Sequence, residues 1–312
     1  SAALLLVLVL RRPAARWVGA GTAYALWLLP ALRLVAPPLP APTSLLPAFD
    51  LMLTAEAAAG TGTAQTSFGW APVLLAVWAT GAAVFLGWQW LRYRAFLTRL
   101  SLASRSLGAH AGLPLVESGA VSGPLAIGLL DRRIVVPAGF ADHYSPAEQR
   151  LALEHEAVHH RRGDMWWNLA ALLLLAANWF NPIAWIAFRA FREDQELACD
   201  AAVAARAGAA ERRDYAAALV KSVGGPGLVA VCPLNSADQL KRRLKMMKHH
   251  RTSAVRTLAG GGAVALLAGA ALTLGGPGAA HPHAEGEEKE RRHRVVVVEK
   301  HGEHAEHRDG AV

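Results

Sequence analysis

The stretch "MWWNLAALLLLAANWFNPIAWIAFRAF", residues 165–191, decides how this chain folds. By hydropathy alone it reads as a membrane span. Just before it, His155, Glu156 and His159 spell H-E-x-x-H within "EHEAVHHRRGD" (154–164); just after it, Glu196 and Asp200 lie in "EDQELACD" (193–200). If residues 165–191 crossed a membrane once, Glu196 would end on the opposite side from His155. Asn181-Pro182 interrupts the run, however, because proline lacks an amide N–H and biases the residue before it away from helix. A turn there gives two antiparallel helices in which residues equidistant from Asn181 face each other, so that Met165 lies opposite Leu197. The hairpin, spanning 165–196, returns Glu196 to the H-E-x-x-H helix. It is either re-entrant in a bilayer or packed on the spans.

The spacing carries the chemistry. Positions i and i+4 of a helix stand one above the other, so His155 and His159 can share one metal, with Glu156 beside it as a base. Ser145-Pro146-Ala147-Glu148 is a capping box with proline at the first helical position, which predicts a helix from Pro146 to about Gly163. Glu196 and Asp200 are also four apart. In zinc peptidases with a glutamate third ligand, that arrangement supplies the ligand and a carboxylate that holds a ligand histidine through its other ring nitrogen. The expected zinc ligands are therefore His155, His159 and Glu196, with Glu156 as catalytic base and Asp200 behind the ligands. Zinc so held keeps one position for water and lowers the pKa of that water toward about 7. Blander readings cover the neighbours. His160, about 100° around the helix from His159, reads as a polar-face residue. Asp164 reads as the end of the helix, and Cys199 as a buried thiol. Trp166, Trp167, Trp179 and Trp185 read as anchors in the core or at a membrane interface.

Composition narrows the class. The chain is 53% hydrophobic and 18% charged, with mean hydropathy +0.24. It is too apolar for an ordinary soluble protein, and predicts membrane spans plus one modest polar domain. Apolar runs fall at 2–10, 17–36, 70–91 and 258–274. The second and third are long enough to cross a bilayer; the first reads as the remaining half of a span at a trimmed N-terminus. The fourth is short and rich in Gly and Ala, a span that packs closely on its neighbours or, alternatively, a buried helix. Arg11, Arg12 and Arg16 follow the first run, and Arg92, Arg94, Arg99 and Arg105 follow the third, while residues 37–69 hold no Lys or Arg. Under the positive-inside rule, residues 92–255 are cytoplasmic, and the loop 37–69 and the tail lie outside. The net charge of +8 is thus spread over span flanks, which argues against direct nucleic-acid binding and for lipid headgroups as partners of "KRRLKMMKHHR". Two cysteines without a C-x-x-C pair point to a reducing compartment.

"HEAVHHRRGD", "NWFNPIAW" and "DQELACD" together resemble the BlaR/MecR family of integral-membrane zinc metallopeptidases, a resemblance that runs from the spans to about residue 256. "SGPLAIGLLDRRIVVP" (122–137) is similar to the short strands that precede the metal helix in that family. The resemblance implies the same ligands and base, and cytoplasmic proteolysis of a repressor or of the protein itself, triggered from outside. Antibiotic-sensing members carry an extracellular penicillin-binding domain after the last span. Here residues 276–312 follow, without an S-x-x-K motif anywhere, so β-lactam sensing is not expected.

The expected fold is a mainly α membrane protein with about four transmembrane helices. A cytoplasmic α+β gluzincin-like zinc protease domain lies between the third and fourth. The divisions are a membrane domain at 1–91, the peptidase domain at 92–255, a last span at 256–275 and a disordered, histidine-rich extracytoplasmic tail at 276–312. The expected setting is a bacterial inner membrane, multi-pass, with Zn2+ as cofactor. Membrane lipid and a protein substrate are the expected partners, and a homodimer is a candidate assembly. An edge strand from "PLAIG" or "RIVVP" is either a peptide cradle or simply core. Two other functions fit less well: a receptor or scaffold with a structural zinc, and a general quality-control membrane metalloprotease.

Overall fold

The computed structural model describes residues 2–35, 70–223, 237–249, 259–264 and 266. The loop 37–69, the tail 276–312 and most of the run 258–274 lie outside the described residues. Helix α1 (Ala2–Trp17) leads into two short helices, α2 (Ala20–Ala25) and α3 (Leu28–Val35). The run 17–36, expected as one span, is therefore broken at Leu26–Trp27. Pro30 supplies the reason: its ring clashes with the carbonyl four residues back, that of Leu26, and it has no N–H to offer. Trp27 at the break donates its indole N–H to Asp194 at 2.9 Å.

Helix α4 (Trp70–Leu102) is, among the described residues, the one helix long and apolar enough to cross a membrane. From the fourth apolar run, Gly260 lies so close to Val18 and Thr22 that a Cβ there would collide with both side chains. That is the close packing its Gly/Ala composition predicts.

The polar part is a four-stranded sheet ordered β1-β2-β4-β3, made of Ser104–His110, Leu113–Ser118, Leu125–Ile127 and Arg133–Pro137. β1 and β2 are antiparallel, β2 and β4 parallel, β3 and β4 antiparallel. Of the two candidate cradle strands, "RIVVP" is β4 and lies inside the sheet, whereas β3 is an edge. After the short α5 (Phe140–His143), α6 (Pro146–Arg162) opens with the expected capping box: Ser145 Oγ accepts from the Glu148 amide at 3.3 Å, and Glu148 Oε2 accepts from the Ser145 amide at 2.7 Å. Ile134, Val136, Phe140, Tyr144, Leu153 and Ala157 form the core between α6 and the sheet.

The run 165–191 is a hairpin. α7 (Asp164–Ala177) and α8 (Pro182–Arg206) are joined at Asn181, whose side chain accepts from the Ile183 amide at 3.0 Å. Ala187, Ala190 and Phe191 of α8 pack on Val7, Leu26, Leu29 and Val264. The hairpin tip rests on α4: Trp78 donates to the Ala177 carbonyl at 2.8 Å, Trp179 donates to the Trp78 carbonyl at 3.2 Å, and Trp185 meets Phe85 edge-on at 5.5 Å. α9 (Ala209–Val223) packs behind α6, and α10 (Ala237–His249) lies on α8.

Candidate metal centre

His155 and His159, one turn apart on α6, bring their Nε2 atoms to 3.2 Å from each other. Glu196 arrives from α8, with Oε2 3.4 Å from His155 Nε2 and Oε1 3.8 Å from His159 Nε2. The hairpin thus brings together the three side chains that the sequence separates. Both histidines are buried, while Glu196 keeps 24% of its side chain exposed and marks the open side.

Behind the histidines, each Nδ1 is occupied. His159 Nδ1 donates to Asp164 Oδ2 at 2.7 Å. His155 Nδ1 donates to the Tyr215 hydroxyl at 2.6 Å, and that hydroxyl donates to Asp200 Oδ1 at 2.7 Å. Because these hydrogen bonds use the Nδ1 protons, a lone pair remains on each Nε2. Two lone pairs and a carboxylate then face one another in a confined space, which is unfavourable unless a cation lies among them. Two imidazole nitrogens and a carboxylate oxygen are a donor set that fits zinc. The same surroundings favour positive charge at the two histidines. Burial disfavours charge on His155, but Cys199 and Glu196 outweigh it and push its pKa up to about 10. His159 is likewise raised well above its ordinary value against the pull of burial. Burial works to raise Glu196, yet His159, His155 and Arg243 hold it well below the usual carboxylate range.

Glu156 is buried next to these groups, and its Oε2 accepts from the backbone N–H of Ala126 on the edge strand β3 at 2.7 Å. Cys199 is fully buried, as its reading as a core thiol requires, and its Sγ donates to the His155 carbonyl at 3.4 Å. Yet His155, His159 and Cys199 also form a set whose donor atoms lie within 4.8 Å of one another, so the thiol is a fourth candidate donor.

Several residues depart from their sequence readings. Asp164 does not end α6. Gly163, at φ 69°, ends α6 and turns the chain, and Asp164 opens α7, fully buried against His159. A left-handed residue is what folds Asp164 back, and glycine adopts it without strain. His160 is buried, not on a polar face, and its Nε2 bonds the Arg133 carbonyl at 3.1 Å, tying α6 to β4. Tyr24, from the broken second apolar run, donates to Asp164 Oδ1 at 3.2 Å. Arg243 of α10 clasps Asp200 with two hydrogen bonds, at 2.7 and 2.8 Å. Its Nη2 stands 3.5 Å from His155 Nε2 and 3.6 Å from Glu196 Oε2. Within "KRRLKMMKHHR" nothing distinguishes Arg243 from its neighbours.

A sequence model of the family described as BlaR1 peptidase M56 matches residues 1–247. The chain is also similar to Regulatory protein BlaR1 of Bacillus licheniformis, 27% identical over 143 residues, a match covering 41% of this chain and 24% of that relative's length. With the family match running from α1 into α10, the chain belongs to the BlaR1 peptidase M56 family.

Proposed function

We propose that this chain is an integral-membrane zinc endopeptidase of signalling or transcriptional regulation, which cuts a cytoplasmic repressor, itself, or both. The observation that carries the reading is the convergence of His155, His159 and Glu196, with both outer ring nitrogens held from behind and Glu156 alongside. In this reading His155, His159 and Glu196 hold the zinc. When bound, zinc supplies an acidified water and polarises the scissile carbonyl. Glu156 takes the proton of the attacking water and hands it to the departing amine nitrogen. Asp164 and the Tyr215–Asp200 pair keep the two imidazoles in the tautomer and orientation that binding needs. Arg243, with Nη2 3.6 Å from Glu196 Oε2, can stabilise negative charge developing on the carbonyl oxygen. β3 is the edge on which an extended peptide can pair. A signalling role rests on the family and on the name of the Bacillus licheniformis relative. The bacterial inner membrane as location, with residues 92–255 cytoplasmic, rests on the charge alternation. The basic segment around Leu240–Arg251, which partly overlaps α10, is the self-substrate, offered to a neighbouring molecule's active site.

Cys199 favours a second reading. Two histidines, a thiolate and Glu196 can close a four-coordinate structural site, as in a receptor or scaffold that cuts nothing. Metal analysis and cleavage-product mapping of wild type beside Glu156→Gln separate the two. The expected result is one zinc per chain in both, with cleavage in wild type alone. Identical fragments from both proteins under every stimulus would sink the peptidase.

A further inference from the structure

The depth of the hairpin can be read from its contacts with α4. Gly81 is the midpoint of the apolar run 70–91, and Trp179 at the hairpin tip lies so close that a Cβ on Gly81 would collide with its indole ring. Trp78 and Phe85, one turn to either side, hold Ala177 and Trp185. A run of this length spans a hydrocarbon core of about 30 Å at about 1.5 Å per residue, so Gly81 marks the bilayer midplane. Residues 165–188 contain no charged side chain, and Leu173, Phe180 and Ile186 are 49%, 62% and 56% exposed, on the same molecule as the exposed α4 side chains Leu74, Leu75 and Val84.

We infer that the α7–α8 hairpin re-enters the bilayer from the metal-centre side, its tip at the midplane and its outward side chains covered by lipid acyl chains. The helical rise supports this at a second level. From Ala177 back to Trp167 is about 15 Å, half the hydrocarbon thickness, and there Trp166 and Trp167 stand 47% and 42% exposed, where an aromatic belt belongs. On α4 the same distance from Gly81 reaches Arg92 on one side and Trp70 on the other. Arg189, the first charge on the second arm, lies about 10 Å from the tip, within snorkelling reach of the headgroups. Asp164 falls about 5 Å beyond the hydrocarbon edge, and it touches His159. The metal centre therefore sits at headgroup level. Resting on the peptidase reading, this confines the substrate to polypeptide presented at the membrane surface.

The test is depth measurement by spin-label power saturation, with oxygen and a water-soluble nickel chelate as relaxants. Full-length protein carrying Cys232→Ser would be reconstituted in nanodiscs of phosphatidylcholine and phosphatidylglycerol. Labels at Phe180, Leu173 and Trp166 are compared with Val84 and Leu91 on α4. Phe180→Cys should match the depth of Val84→Cys, Leu173→Cys should be shallower, and Trp166→Cys should be at the level of Leu91→Cys. A reading at Phe180 no deeper than Leu91, or nickel access like that of exposed Leu130, overturns the placement. Ile186→Cys on the other arm, about 6 Å from the tip as Leu173 is, should read the depth of Leu173→Cys and keeps the test open should the tip variant misfold. No cleavage is needed, so a shallow hairpin would refute this placement while leaving the peptidase to the Glu156→Gln comparison.

Discussion

Asp164 and Tyr215 show how much of a metal centre lies behind the residues that would touch the metal. Asp164 accepts the hydrogen bond from His159 Nδ1 directly, whereas Asp200 reaches His155 through the Tyr215 hydroxyl. Removing either support frees an imidazole to rotate or change tautomer. Outer partners of this kind are worth roughly 10–100-fold in metal affinity. Asp164→Asn should therefore weaken zinc binding by about that factor, measured by competition with a chelator. Tyr215→Phe breaks the relay and leaves Asp200 held by Arg243, so it should weaken zinc binding by roughly 10–100-fold, as should Asp200→Asn. Unchanged affinity in Asp164→Asn would remove that carboxylate from the centre. The five residues H-E-x-x-H plus E-x-x-x-D at its two ends were legible because each pair repeats the helical period. Asp164 was not, because its role depends on a single left-handed glycine that turns the chain within one residue. Tyr215 and Arg243 were not legible either, since they come from helices with no spacing relation to the motif.

At the scale of the element, local chemistry was the most readable layer. The capping box fixed the start of α6 and Gly163 its end, both from side-chain and backbone demands that act within four residues. The break at Asn181-Pro182 was readable for the same reason. The break at Leu26 was available in Pro30 but was masked by the apolar length of the run. Glu148 offers a test of the cap. Its pKa is lowered, chiefly by the hydrogen bond that Lys221 donates to it at 2.6 Å, with burial opposing. A carboxyl group whose folded pKa is depressed contributes stability above its unfolded value, and loses that contribution as pH falls through the folded value. Glu148→Gln keeps the capping shape but removes the charge. It should cost about 0.5–1 kcal/mol near pH 7, a figure kept small because Lys221 is half exposed. The difference from wild type should shrink as pH falls below the ordinary carboxylate range. Thermal unfolding in detergent across pH reads this out, and a pH-independent difference would mean the Lys221 pair contributes nothing.

For the whole molecule, charge and connectivity point to the same side. In the sequence Arg11 marks the flank of a span, but it is buried and paired with Asp194 at 2.9 Å and Glu193 at 3.0 Å. Arg242 of α10 reaches the same Glu193 at 3.0 Å. The first helix and the helix before the last apolar run therefore both grip α8 one turn ahead of Glu196. Such a pairing could not be seen in the sequence, where Arg11 and Asp194 are far apart and neither belongs to a motif. On the hairpin placement inferred above, Arg11, the metal centre and the Arg-rich end of α4 share one side of the apolar run 70–91, and the positive-inside rule gives that side its orientation. That side should face the cytoplasm. Leu130, 87% exposed in the β3–β4 turn, is a suitable probe; Gly108 is less so, because its φ of 101° would strain a cysteine. Leu130→Cys should resist an impermeant thiol reagent on intact cells and react once the membrane is opened. Reaction on intact cells would place the peptidase domain outside, and with it the metal centre, and a cytoplasmic repressor would then be out of reach.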